Sequence, residues 1–296
     1  AKVSVGAHPW AVAVGAGSVW VVGTDDNTLR RIDPTNLRQI GAAIRVGRYP
    51  VGVAVGAGTI WVANDDDGTV SRIDARSGRP LGAPIGVPPH PWGIAVGAGA
   101  VWVTSAESGT VARIDPRSGR RIGEPISVGH VPMGVAVGDG AVWVTNSGDG
   151  TLSRIDPRTG TAVGPPIPVG AQPIGVAAGG GSIWVANAGS GTLSRIDARS
   201  GTLLGQPIRV GAEPVGVAVG AGSVWVADHG DAALVRLEER TGRAIGRPLA
   251  VGSKPTGVAV GAWAVVVAGF GDGTLTRVAL PRPHGPEAPA LGRVHS

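Results

Sequence analysis

The 296-residue sequence contains no cysteine, which excludes disulfides and thiolate metal sites and leaves the redox compartment undetermined. An extracytoplasmic location is only slightly favoured. No apolar run approaches the roughly 20 residues that span a bilayer, so we expect no membrane partner. The chain begins at Ala1 without a signal-like segment, as a processed protein or an excised domain would.

Lysine is also scarce, because only Lys2 and Lys254 are present, and the net charge of +5 therefore comes from arginine. A basic balance permits weak affinity for nucleic acid. However, most arginines occupy repeating positions, and no aromatic residues are interleaved with them for base stacking. We therefore do not expect nucleic acid to be a partner.

Glycine (51) and proline (24) are abundant, and they recur with a period of 41 residues that no insertion interrupts between Val5 and Arg277. One column is tryptophan in six copies and Val266 in the seventh. The tryptophans are Trp20, Trp61, Trp102, Trp143, Trp184 and Trp225. Proline columns (Pro9, Pro50 and so on) and arginine columns (Arg31, Arg72 and so on) keep the same step in all seven copies.

Each copy alternates with period two and lacks helical periodicity. In the second copy the pattern predicts strands A to D at 51–55, 59–64, 68–74 and 83–87, separated by clusters of Gly, Asp, Ser and Pro. Four short strands per 41 residues predict an all-β, seven-bladed β-propeller with antiparallel blades. The small residues of strand A suit the crowded strand that lines a central channel.

The ends of the sequence indicate how the ring closes. Residues 3–6 align with 249–252, the end of a strand D, so we expect the N-terminal strand to complete the seventh blade. The alternative is that residues 288–292 fill this place. The propeller domain should span 1–280, and 281–296 form a Pro-rich tail that we expect to be mobile.

The unit "PxGVAVGAGSVWVANxxDGTVSRIDPRTG" resembles the bacterial YVTN-type and streptogramin-lyase-like (virginiamycin B lyase-like) seven-bladed propellers over nearly the whole chain. This resemblance implies the propeller fold, and the group includes lyases, binding proteins and sensor domains. The copies are so alike that they indicate recent duplication of one blade or an idealised repeat.

Columns present in nearly every copy indicate framework. The tryptophans should pack each blade on the next. Arg72 and Asp74 point to the same face of strand C, which predicts a bracket between blades made of an ion pair and hydrogen bonds. Further arginines lie in the turns between strands C and D. These turns share one face of the disc, which should therefore be basic.

Function should lie where the copies differ, in the D-to-A and B-to-C loops, which open on one face of the disc, the upper face. Blades 1, 2, 3 and 7, which are neighbours in the closed ring, carry aromatic residues on this face. Trp263 instead lies in an A-to-B turn on the opposite, lower face. The polar residues Gln172, Glu213 and Lys254 occupy the other side. The predicted ligand-binding residues are His8, Trp10, Tyr49, His90, Trp92, His130 and Phe270. The competing interpretation is that these are scattered exposed loop residues.

Specific chemistries find less support in the sequence. The three histidines of the upper face have no local ligand spacing, and "NDDDGT" (64–69) lacks the closing Glu of a calcium loop. No metal site is therefore predicted. The resemblance to streptogramin lyases implies a histidine base and a carboxylate-bound Mg²⁺. The nearest candidates are His229, within "DHGD", and Glu213, although the repeat reads "WVAN" or "WVAD" instead of the lyases' "WFTE".

Three hypotheses follow. The first is a monomeric, cofactor-free binding or sensor module that holds a small molecule, glycan or peptide on the upper face. The second is a Mg²⁺-dependent lyase of the streptogramin-lyase type, with His229, His8 or His90 as its base. The third is a symmetric repeat scaffold without a selected ligand.

Overall fold

The computed structural model describes residues 1–262 and 264–280, which form seven antiparallel sheets arranged as the blades of a propeller. The predicted fold is confirmed. The inner strands A are Pro9–Gly15, Pro50–Gly56, Pro91–Gly97, Pro132–Gly138, Pro173–Gly179, Pro214–Gly220 and Pro255–Val260. The strands B are Ser18–Gly23, Thr59–Asn64, Ala100–Ser105, Ala141–Asn146, Ser182–Asn187, Ser223–Asp228 and Ala264–Gly269.

The outer half of each blade is shorter. The strands C are Thr28–Ile32, Thr69–Asp74, Thr110–Ile114, Thr151–Asp156, Thr192–Asp197, Ala233–Glu238 and Thr274–Ala279. The strands D are Ile44–Arg45, Ile85–Gly86, Ile126–Ser127, Ile167–Pro168, Ile208–Arg209 and Leu249–Ala250. A short strand, Thr161–Ala162, also pairs with strand C of blade 4, and Ala188–Ser190 is a 3₁₀ turn. No helix in the described part of the chain is long and apolar enough to cross a membrane.

The N-terminal strand closes the ring, as predicted. Lys2–Ser4 pairs antiparallel with strand C of blade 7, with Val3 opposite Leu275. The N–H of Val5 continues this pairing by donating to the carbonyl of Gly273 at 2.9 Å. The alternative closing segment, the Pro-rich tail and Trp263 all lie outside the described residues.

The inner strands approach each other backbone to backbone around the channel. A Cβ placed on Gly52 would lie 2.3 Å from the carbonyl oxygen of Trp92, and one placed on Gly93 would lie 2.2 Å from that of Met133. Such contacts leave no room for a side chain. The Gly- and Ala-rich composition of strand A is therefore required by the narrow centre of the ring.

The six column tryptophans are at most 2 % exposed and form the main wedges between blades. Trp20 of blade 1 packs on Val53, Ile60 and Ile73 of blade 2, in the same hydrophobic cluster. In each of these six blades the column arginine lies over the indole, with its guanidinium carbon 4.9–5.9 Å from the ring centroid.

The predicted arginine bracket is correct for hydrogen bonds and wrong for the ion pair. Arg31 donates from Nη1 to the carbonyl of Arg76 in the next blade at 3.0 Å, and Arg195 does the same to Arg240 at 2.8 Å. Within residues 1–262 and 264–280, no column arginine forms a salt bridge with a column aspartate. Asp74 instead accepts the Ser77 N–H and hydroxyl, both at 2.7 Å.

These turn aspartates predict acid sensitivity. Hydrogen bonds from the serine hydroxyl and from backbone N–H groups lower the pKa of Asp74, Asp115 and Asp197. A lowered folded-state pKa contributes stability above the unfolded pKa of about 3.9, and this contribution is lost as pH falls through the folded value. Replacing all three by Asn should therefore flatten the fall in Tm below about pH 4, measured by thermal melts. An unchanged acid slope would contradict this origin.

Candidate functional site

The D-to-A and B-to-C loops are joined on the upper face by a repeated backbone hydrogen bond. The carbonyl of the residue before each column proline accepts the N–H of the first B-to-C loop residue of the same blade. In blade 3, the N–H of Ala106 donates to His90 at 3.0 Å, and in blade 7 that of Phe270 donates to Lys254 at 3.1 Å. The two variable loops therefore form one surface.

The residue before the proline is held in a left-handed conformation in six of the seven blades. These residues, with φ between 45° and 53°, are His8, Tyr49, His90, Val131, Gln172 and Lys254. Residues other than glycine rarely adopt this backbone conformation because it is strained, and strained residues are often found at ligand-binding and active sites. The kink positions His8, Tyr49 and His90.

A β-bulge follows the proline and turns the next side chain toward the channel. In blade 1 the register shifts between Pro9 and Val12, and in blade 3 it shifts between Pro91 and Ile94. Trp10 and Trp92 lie within these bulges, and both line the upper mouth of the central channel, a space of about 190 Å³. Both indoles remain partly exposed.

The structure brings four predicted ligand-binding residues into one continuous aromatic cluster: His8, Trp10, Trp92 and Phe270. Trp10 makes edge-to-face contacts with Trp92 and Phe270, with centroid separations of 5.4 and 5.3 Å. The His8 ring stacks on Phe270 at 4.6 Å, with 27° between the planes. These are favourable aromatic geometries, and they join blades 7, 1 and 3 across the channel mouth.

The other three predicted residues lie on the same face but outside this cluster. Tyr49 is 38 % exposed, and its backbone N–H donates a hydrogen bond to the side-chain oxygen of Asn27 at 2.8 Å. His90 pairs with carboxylates, and the side chain of His130 is 87 % exposed beside Asp149. The candidate site therefore has an aromatic centre with histidines around it.

Three upper-face histidines, His8, His90 and His130, contact an acidic loop residue. His8 pairs with Asp25, and Nδ1 of His130 lies 2.8 Å from Asp149. The pKa of Asp149 is lowered mainly by a hydrogen bond from the backbone N–H of His130. These pairs orient the imidazole rings at the edge of the aromatic cluster.

His90 differs because it lies between two carboxylates. Its Nδ1 is 3.3 Å from Asp65, and its Nε2 is 3.3 Å from Glu107. Burial raises the pKa of Asp65, whose side chain is 11 % exposed, whereas that of Glu107 is 65 % exposed. The arrangement of a histidine with an orienting buried carboxylate is one that general bases use.

The two weaker catalytic candidates meet through their backbones. The N–H of His229 donates to the carbonyl of Glu213 at 2.9 Å, but within the described residues their side chains form no ion pair. The Nδ1 atom of His229 is buried without a hydrogen-bond partner. Burial, together with the neighbouring Asp231, raises the pKa of Asp228.

The carboxylate-bound magnesium implied by the resemblance does not fit the side chains of the described ranges. Across 1–262 and 264–280, no three His, Asp or Glu side chains converge as a metal site requires. No chemical step is therefore derived through such an ion.

One contributor to the cluster was missed by sequence reasoning. Thr256, which follows the proline of blade 7, is buried, and its hydroxyl donates to the carbonyl oxygen of Trp10 at 2.7 Å. It fixes the backbone beneath the central indole. The available signal was that Thr256 is the only hydroxyl residue in a column that is otherwise apolar.

Comparisons with known proteins agree on the fold. A family model described as the virginiamycin B lyase family matches residues 2–278. A structure of streptogramin B lyase superposes with a TM-score of 0.81 at 18 % identity, covering 94 % of this chain and 97 % of that one. A search among curated proteins finds no match.

Two further solved structures are similar. A catalytically inactive histidine-to-alanine variant of virginiamycin B lyase from Staphylococcus aureus, with quinupristin, gives a TM-score of 0.81 at 20 % identity, covering 95 % of this chain and 99 % of that one. The hydrazine synthase of Kuenenia stuttgartiensis gives 0.79 at 14 % identity, covering 92 % and 96 %. At such identities these likenesses establish the fold alone.

Proposed function

The chain belongs to the virginiamycin B lyase family, and we propose that it is a binding propeller that holds a small, ring-containing molecule over the upper mouth of its channel without transforming it. The observation that carries this proposal is the continuous cluster of His8, Trp10, Trp92 and Phe270. A concave site with aromatic walls and a few polar groups is the usual form of a small-molecule site.

The cluster suits a flat apolar ring. Edge-to-face packing of Trp10 against two neighbours leaves indole surface partly exposed at the channel mouth. A bound ring would remove this surface from water at about 25 cal/mol per Å². The wall is largely preorganised, because Thr256 fixes the backbone of Trp10 and Phe270 stacks on His8.

The opposite side of the mouth would orient the ligand. Gln172, Glu213 and Lys254 are exposed on blades 5, 6 and 7, at the repeat position that carries His8 in blade 1. A molecule with an apolar ring at one end and amide or charged groups at the other matches this polarity. The proposed ligand class is therefore a small amphipathic ring compound, such as a short cyclic peptide.

Family membership and the geometry of His90 favour a second candidate, elimination by a lyase. The imidazole of His90 would take a proton from the carbon next to an ester-bearing carbon, the C–O bond would break, and a carboxylate would leave as the C=C bond forms. The buried Asp65 would fix the orientation of the ring, which is reachable from the exposed Glu107 side. On this hypothesis quinupristin, which the solved relative contains, would be opened and not merely bound.

Quinupristin is a suitable first probe because it can report both functions. We expect calorimetric binding without a change in its chromatographic retention or fragmentation pattern, and at least tenfold weaker binding by Trp10→Ala and Trp92→Ala, because each removes a wall of the cluster. Leu203→Ala is the matched control, since Leu203 is an exposed apolar residue in a C-to-D loop of the lower face.

The same assay separates the alternatives. Conversion of quinupristin that is lost in His90→Gln would establish the lyase instead of the binding module. If quinupristin does not bind, a ring-fragment screen by saturation-transfer NMR replaces it. Binding that is equally strong in wild type, Trp10→Ala and Trp92→Ala would place the ligand elsewhere and refute the proposal.

A further inference from the structure

The junction between blades 7 and 1 differs from the other six. Val266 takes the place of the column tryptophan and packs with Val19 and Leu37 of blade 1. A cavity of about 920 Å³ lies at this junction and opens on the lower face. Its lining comes from the A-to-B turn and strands of blade 7 and from the A-to-B turn and Pro34 and Thr35 of blade 1.

Arg277 is the only charged residue among the described residues that line this cavity. Elsewhere the column arginine lies on an indole and, in blades 1, 2, 4 and 5, also donates to carbonyls of the next blade. Within 1–262 and 264–280, Arg277 has no ring beneath it, and its guanidinium has no hydrogen-bond partner. Its buried Nε is unsatisfied, as it also is in Arg72, Arg113 and Arg154. The remaining lining is mostly apolar, with the hydroxyls of Ser18 and Thr35.

We propose that this cavity is a second binding site, specific for planar aromatic carboxylates. The ring would occupy the cavity beside Val266 and beneath the guanidinium of Arg277, next to the indole position that Leu37 partly takes at this junction. The carboxylate would accept the N–H groups that other column arginines donate to loop carbonyls. The proposal is independent of the upper-face function, because the cavity opens on the opposite side of the disc.

Size and charge both support this ligand class. The volume lies within the range of small-molecule sites. Apolar cavities of suitable size take up aromatic molecules, and a ring beneath a guanidinium gains cation–π attraction. Arg277 gives the described lining a positive charge that a carboxylate would pair with.

Indole-3-acetate and neutral indole are the probes, used with the full-length protein. We expect indole-3-acetate at saturating concentration to raise Tm by about 2 °C or more and to bind with one-to-one stoichiometry by calorimetry. Arg277→Gln should weaken indole-3-acetate at least tenfold and indole by a smaller factor, because indole loses only the cation–π attraction and no carboxylate contact. Trp10→Ala should leave both unchanged.

Filling the cavity is the decisive variant. Val266→Trp should abolish binding of both probes, and Val266→Trp with Leu37→Gly serves where the single variant folds poorly. Binding that survives in either folded variant, or that is lost in Trp10→Ala, would overturn the proposal. The proposal would also be overturned if the wild-type protein did not bind indole-3-acetate. This includes the case in which binding appears only after Trp263→Ala or after removal of residues 281–296.

Discussion

Replacing Trp143 with alanine is expected to lower the free energy of unfolding by about 3–5 kcal/mol. The indole is fully buried and packs on Ile183, Val185 and Ile196 of blade 5. Its Nε1 donates to the carbonyl of Gly138 at 3.3 Å, and the guanidinium carbon of Arg154 lies 5.1 Å from the ring centroid. The substitution therefore leaves a large cavity between two blades and removes the surface on which Arg154 rests.

Urea denaturation followed by far-UV circular dichroism measures this loss. The comparison variant is Val163→Ala in the same blade, which shortens a side chain that is 41 % exposed and should change stability by less than about 0.5 kcal/mol. A loss below about 1 kcal/mol for Trp143→Ala would show that the column tryptophans are not the wedges between blades.

The fold could be predicted because nearly every structural requirement recurs in all seven copies of the repeat. A proline, an inner strand of small residues and a buried tryptophan recur at one spacing, so chance agreement is removed. The pairing of Asp74 was mispredicted for a local reason. Its carboxylate accepts hydrogen bonds from the N–H and hydroxyl of Ser77 within its own turn. Such local hydrogen bonds compete with the predicted ion pair for the same carboxylate.

The site was only partly predictable, and the repeated triplet His-Pro-Trp shows why. His8 and His90 have identical neighbours in sequence, yet His8 stacks on Phe270, whereas His90 meets Asp65. Phe270 and Asp65 occupy the same repeat position, at the start of the B-to-C loop in the preceding blade. Topology placed these loops on one face, but the contacts depended on the left-handed residue before the proline and the bulge after it, which no residue pattern announces.

The second large effect is expected at the junction of blades 7 and 1, where two substitutions should compensate each other. The position of Leu37 is glycine in blades 2 to 6. A Cβ on Gly242 would lie 2.7 Å from Ile208 Cδ1 and 3.5 Å from Trp184, and one on Gly119 would lie 2.1 Å from Nη1 of Arg72. At these two junctions glycine leaves room for the tryptophan or arginine of the preceding blade.

Blade 7 has Val266 instead, and the space is partly taken by Leu37, which is 5 % exposed despite its φ of 60°. Val266→Trp alone should overpack against this leucine and cost about 1–3 kcal/mol. Leu37→Gly alone should cost about 2–4 kcal/mol through the cavity that it opens, less the relief of left-handed strain. Together they recreate the pairing of tryptophan with glycine that five other junctions have.

We therefore expect the double variant to be more stable than the sum of the single effects predicts by about 2–3 kcal/mol. Denaturant unfolding of the four proteins measures this coupling, with Val266→Ile as a control that enlarges the side chain without introducing a ring. Costs that add to within about 0.5 kcal/mol would mean that Val266 and Leu37 do not share one space. A large coupling would mean that Leu37 takes part of the space that an indole at position 266 would fill, which leaves the cavity beside Val266 and Arg277 for the proposed aromatic carboxylate.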